Sequence, residues 1–216
     1  MPDRYPGYNV LAKRHTPSWN EQTRRVIDRR LAVPRTPRFF SDHEFATLEA
    51  IAAQVVPQPA HRPPIPVAGL IDAKLLDDIQ DGFRAEDMPP QRTAWQRGLH
   101  ALDAEAQAAH GTAFRALTAE RQRDLLLQMK DGGLKHSAWD GMSPAHFFKQ
   151  RLLHDIVMAY WSHPTAWNEI GWGGPASPRG YVRMGYDERD PWEAAEAPRN
   201  ANTDVGAAFR KNRHVG

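Results

Sequence analysis

The 216-residue chain contains no cysteine. Disulfides, thiolate metal sites, cysteine nucleophiles and covalent c-type haem attachment are therefore excluded on this polypeptide. The redox compartment is not readable from that absence, because a cysteine-free chain persists in either environment. Long hydrophobic runs are missing too: no stretch approaches the roughly 18 apolar residues that span a bilayer. Thr23-Arg24-Arg25 resembles the start of a twin-arginine export signal, but Val26-Ile-Asp-Arg-Arg-Leu31 follows, charged where an apolar h-region belongs, so no signal peptide is expected. Nor does one sign of charge dominate. Twenty-eight Lys and Arg stand against 26 Asp and Glu, a net charge of +2 that argues against nucleic acid as the main partner.

Motifs of chemistry are equally scarce. There is no Gly-x-Ser-x-Gly elbow and no His-Glu-x-x-His pair. Gly171-Trp-Gly-Gly174 is not the Gly-x-Gly-x-x-Gly of a dinucleotide fold, and its neighbouring tryptophans and prolines would obstruct a phosphate. His146 and His154 lie eight residues apart, about 12 Å of helical rise, too far to share an ion. His154 and Asp155 are adjacent and should point in different directions on a helix. Asp187, Glu188 and Asp190 read as a solvated turn, and Ser177 as a turn residue. No catalytic, cofactor-binding or metal-binding residue is expected on this chain.

What the sequence does contain is helical periodicity, with no strand alternation beyond a short extended piece at Val182–Tyr186. Ser41 and Glu44 have capping-box spacing, flanked by the staple pair Phe40 and Phe45, and Leu48, Ile51, Ala52 and Val55 continue one apolar stripe until Pro57. Further helices are predicted over Val67–Ile79 and Gln91–His110, after Thr118 until Gly132-Gly133, and from Ser143-Pro144 through Phe147, Phe148, Leu152, Ile156, Val157 and Tyr160. A shorter helix over Trp19–Leu31 would take Ser18 as its N-cap. The fold class is all-α: a compact, irregular helical domain at 41–163 with long extended arms. Residues 1–40 form a basic N-terminal arm, with Arg4, Lys13, Arg14, Arg24, Arg25, Arg29, Arg30, Arg35 and Arg38 against only Asp3, Glu21 and Asp28. Residues 164–197 form an aromatic, Gly/Pro-rich loop region and 198–216 a polar, mobile tail. Arms of this length usually need another surface to order them.

The loop region carries the strongest signal. Trp161, Trp167, Trp172, Tyr181, Tyr186 and Trp192 fall within about thirty residues, interleaved with Arg179 and Arg183. Trp, Tyr and Arg dominate interface hot spots. Trp161 and Trp167, near the helix end, are assigned to the chain's own core. Trp172, Gly173, Gly174, Pro175, Arg179, Tyr181, Arg183 and Trp192 are the expected partner-binding residues.

At this point the chain resembles the gluconate 2-dehydrogenase subunit 3 family. The matching pieces are Phe39-Phe-Ser-Asp-His-Glu-Phe45, Val55-Val-Pro57, Phe147-Phe148 and Leu153-His-Asp155, then Ser162-His-Pro, Gly171-Trp-Gly-Gly-Pro175 and Pro178-Arg-Gly-Tyr181. The likeness spans roughly residues 39–192. It implies a non-catalytic small subunit that binds, stabilises and helps mature a large FAD-containing subunit of the glucose–methanol–choline (GMC) class. That large subunit oxidises gluconate, glucose or another sugar, and a cytochrome subunit often accepts the electrons. The resemblance also implies a periplasmic complex, commonly exported on the small subunit's own twin-arginine signal. This chain departs from that pattern, so the complex stays in the cytoplasm, or another subunit carries the signal, or the chain is a mature form. Two other classes stay open: a stand-alone oxidoreductase or metal-dependent enzyme using His154, Asp155 and the Glu169 region, and a nucleic-acid binder acting through the basic arm.

Overall fold

A computed structural model describes residues 3–60, 62–82, 84–197 and 205–214. The helices are α1 (Glu21–Leu31), α2 (Asp42–Val55), α3 (Val67–Leu76), α4 (Gln91–His110), α5 (Ala119–Lys130), α6 (Pro144–Phe147), α7 (His154–Ser162), α8 (Pro164–Glu169) and α9 (Val205–Arg213). A π-helical stretch, Phe148–Leu153, links α6 to α7, and a 3-10 helix covers Val10–His15. No strand occurs among the described residues, and the fold is all-α. The chain divides into two units. One comprises Val33–Ala60 and Pro66–Tyr160; the other comprises Met1–Ala32, His61–Ile65 and Trp161–Gly216. This division cuts the chain elsewhere than residues 40, 163 and 197: the N-terminal arm up to Ala32 falls into the same unit as the loop region, and its last residues, from Val33, into the other.

The central unit follows its periodicity closely. Ser41 Oγ accepts from the Glu44 amide while Glu44 accepts from the Ser41 amide, completing the capping box of α2. The stripe Phe45, Leu48, Ile51 and Ala52 is buried as expected. Phe40, Trp95 and Phe147 form a chain of edge-to-face rings with centroids 6.2 and 5.6 Å apart. Gly98 permits this packing: a Cβ there would lie 2.2 Å from the Phe147 ring. Buried Asp72 accepts from the amides of Arg38, Phe39 and Phe40, each at 3.0 Å, and so anchors the chain entering α2. α3 ends at Leu76 rather than Ile79, because Asp78 turns into the left-handed region at φ 52°. The expected continuous helix over 144–160 is interrupted by the π turn. That turn rotates the register and brings Arg151 inside, leaving Phe148 and Val157 only half-buried.

The second unit is built from both ends of the chain. α1 starts two residues later than Ser18 capping would place it; its cap is Asn20, whose side chain accepts from the Thr23 amide at 2.9 Å. The reason is tertiary. The Ser177 amide donates to Ser18 O and the Asn20 amide to Ser177 O, both at 2.9 Å, which holds residues 18–20 extended. Ser177, read as a turn residue, is thus the pairing partner of the N-terminal arm. Tyr8, Val10, Trp19, Ile27, Trp167, Trp192 and Ala194 form a single buried cluster. The two arms therefore supply each other's surface. Of the predicted tail, residues 198–204 and 215–216 lie outside the described residues. Val205–Arg213 forms α9, where buried Asn212 bonds Pro6 O, Ala195 N and Ala195 O at 2.7–2.9 Å.

Candidate partner-binding site

Residues 170–197 contain no helix and are held by point contacts. Trp167, fully buried, donates its Nε1 to Trp161 O at 2.6 Å and meets the Trp172 ring edge-to-face at 4.8 Å. Gly174 takes φ 68° directly over Trp167, where a Cβ would stand 2.9 Å from the ring. Only glycine reconciles that turn with that contact. The chain then pairs with residues 18–20 through Ser177, passes a cis Ser177–Pro178 bond, and reaches the arginines.

Arg179 stacks on Trp192 with its guanidinium carbon 5.0 Å from the ring centroid. It also pairs with Asp190 at 2.9 Å and donates to Val182 O. Asp190, expected in a solvated turn, is buried and additionally accepts from the Met184 amide at 3.1 Å. Arg183 grips Glu193 with two bonds of 2.9 and 3.1 Å. Burial pushes the Glu193 carboxyl up, but the bonds from Arg183 and the Asp190 amide outweigh it and hold it below its ordinary value. These residues, with Tyr5, Lys13 and Gly171–Gly174, enclose an open cavity of about 370 Å³.

Of the expected partner-binding residues, all but Pro175 line this cavity. They do not present themselves alike. Tyr181 is 70% exposed and Trp172 38%, so both offer faces to a partner. Trp192, 9% exposed, and buried Gly174 instead hold the loop on its own core. Trp161, expected inside, is 39% exposed. Val182 and Met184, which are not among the expected partner-binding residues, make with Tyr181 and Tyr186 a nearly continuous exposed apolar rim. Its signal was the same Val182–Tyr186 run read as an extended piece.

The cluster around His154 is a different kind of arrangement. His154 Nδ1 lies 3.1 Å from Asp155 Oδ1, so the neighbours converge rather than diverge. The π turn ends at Leu153, immediately before His154. Buried Asp155 also accepts from Trp95 Nε1 at 2.8 Å and Lys74 Nζ at 3.0 Å. Lys74 and Arg151 both bind Asp81, and their bonds outweigh burial to keep its carboxyl below the usual value. Ligand atoms of Asp81, His154 and Asp155 fall within 4.8 Å of one another. Two cations already neutralise the two carboxylates, however, so a metal ion would have to displace both. The cluster is an internal ion network.

The basic arm is likewise engaged within its own unit. Arg14 pairs with Asp28, Arg25 with Glu21 and Arg4 with Glu196, while Arg24 donates to Trp19 O and Arg30 to Ser162 O.

The family model described as gluconate 2-dehydrogenase subunit 3 matches residues 42–174, well over half of the chain. The chain belongs to that family. The subunit 3 match takes in α2 to α8 and ends at Gly174, so the arginine-rich part of the cavity wall lies beyond it. No curated protein and no solved structure matches the chain. No helix among the described residues is long and apolar enough to cross a membrane.

Proposed function

We propose that this subunit 3 protein is non-catalytic and binds, stabilises and helps mature a large FAD-containing dehydrogenase subunit of the GMC class acting on a sugar. The observation that carries the reading is the family match over residues 42–174. The exposed rim of Trp172, Tyr181, Val182, Met184 and Tyr186 supports it. Apolar side chains raised on an irregular loop, whose own base is packed on tryptophans, fit a docking surface better than a solvated one. FAD belongs to the partner in this reading. Here Gly171–Gly174 follow a helix rather than a strand and lead into no helix N-terminus that could receive a pyrophosphate. A cytochrome subunit would complete the electron path. The compartment, periplasm or cytoplasm, follows the partner's route of export.

A subunit that binds only the folded form of its partner stabilises it by mass action. The test is co-expression of the large subunit with and without this chain, reading FAD content, thermal stability and dye-linked sugar oxidation. Lower values without this chain are expected. Equal values in all three would refute the role.

A further inference from the structure

The cavity beneath the aromatic loop has a feature that docking does not use. Lys13, on the 3-10 helix of the N-terminal arm, is 2% exposed and lines it. Among the described residues Lys13 Nζ makes no hydrogen bond and no ion pair; its recorded contact is the Trp19 ring face, 5.6 Å from the centroid. A lysine so nearly buried, whose ammonium meets the open cavity and no anion, is costly and rare. Arg179 has a second open donor. Its Nη1 is committed to Val182 O and Asp190, but its buried Nε has no partner among the described residues.

The charges around these donors suggest what would satisfy them. Asp190 is taken by Arg179, Glu193 by Arg183 and Glu196 by Arg4. Arg189, exposed at the edge, donates to Ala194 O at 3.3 Å. At depth this leaves one cation, Lys13, without a counter-charge, plus one neutralised guanidinium with a free N–H. The requirement is a single negative charge with two acceptor atoms. A phosphate dianion would meet the Asp190 and Glu193 carboxylates with one charge too many. Gly173 leaves the approach open: a Cβ there would stand 3.1 Å from Lys13 Nζ, and its backbone is outside the left-handed region.

We infer that this cavity is a carboxylate-binding site, with Lys13 Nζ and Arg179 Nε as its two donors. The inference rests on the cavity alone and stands whether or not the large flavoprotein is the partner. The carboxylate arrives as a free small acid or as an aspartate side chain of a docked protein. Bound there, it ties the N-terminal arm to the loop and stiffens the surface that carries the exposed rim. Burial, then the neighbouring Arg179, hold the Lys13 ammonium at a pKa of about 8 against the pull of Asp190. A bound carboxylate raises it, so binding weakens as pH rises above 8.

The full chain with ¹³C-labelled lysine tests this by following the Lys13 Cε–Hε signal. Titrants are glycolate, N-acetyl-aspartyl amide and inorganic phosphate, at ionic strength held with sodium chloride. A saturable shift with glycolate identifies a free acid as ligand. A shift with the aspartyl amide and none with glycolate identifies a protein side chain. Either supports the site, provided that Lys13→Met abolishes the accompanying rise in melting temperature and Gly173→Ala weakens binding about tenfold. Three results overturn it: no saturable shift with either carboxylate, tighter binding of phosphate than of both, or wild-type ligand stabilisation in Lys13→Met.

Discussion

Replacing Lys13 by methionine should make the protein more stable, and the gain should depend on pH in a defined way. The ammonium is depressed from 10.5 to about 8 by burial. At about 1.4 kcal/mol per unit, folding with the charge in place costs about 3 kcal/mol. The sign follows from proton counts. Below pH 8 both the folded and the unfolded chain hold the proton, and the full cost is present. Between 8 and 10.5 the unfolded chain keeps it while the folded chain releases it, so wild-type stability rises with pH. Methionine fills a similar volume and carries no charge, so Lys13→Met should gain up to about 3 kcal/mol at pH 7 and little at pH 10.5. For a chain of this size that is several degrees of melting temperature. Tyr8, whose hydroxyl burial and then Glu193 push up to about 12, erodes stability above pH 10. It does so equally in both proteins and cancels in the difference. Paired urea melts between pH 7 and 10.5 measure this. A destabilised variant at pH 7, or a gain that does not shrink as pH rises, would refute the buried, uncompensated ammonium.

Gly98→Ala should lower stability by about 1–3 kcal/mol, since its methyl lands 2.2 Å from the Phe147 ring; a urea midpoint equal to wild type would contradict that packing. Asp155→Asn should cost about 1–3 kcal/mol by turning an amide N–H toward Lys74 in the buried site that also receives Trp95 Nε1, while Lys74 keeps Asp81. A neutral result in thermal melts would mean that the ion network around α7 holds nothing together. The double variant Tyr181→Ser/Tyr186→Ser should fold with an unchanged melting temperature, because both rings are exposed, yet lower the yield of co-purified large subunit. Full recovery of the complex would move the docking surface elsewhere.

Local signals were legible and non-local ones were not. The capping box at Ser41, the proline start at Ser143-Pro144 and the bounds of α4 depend on residues within a few positions of one another, and periodicity carries them. Ser18 looked like a helix cap because nothing nearby reveals its pairing with Ser177, more than 150 residues away. The π turn escaped for a related reason: apolar spacing from Phe147 to Tyr160 suits either helix type, and only buried Arg151 betrays the shift. At the cavity, aromatic density pointed to the right segment but could not say which rings face outward. Lys13 read as one more cation on a basic arm, since burial of a lysine leaves no trace in its neighbours. Asp72 likewise gave no sign that it holds three amides from the chain before α2.

The joining of Met1–Ala32 with Trp161–Gly216 has a consequence for the order of events during synthesis. The middle of the chain can fold on contacts that are close in sequence, while the second unit must wait for residues near the C-terminus. Residues up to Ala32 leave the ribosome before the rest of their unit and find their places only after it. Until then Trp19, Ile27 and Lys13 travel uncovered, so a nascent chain stalled before residue 161 should be the form most exposed to proteases and chaperones.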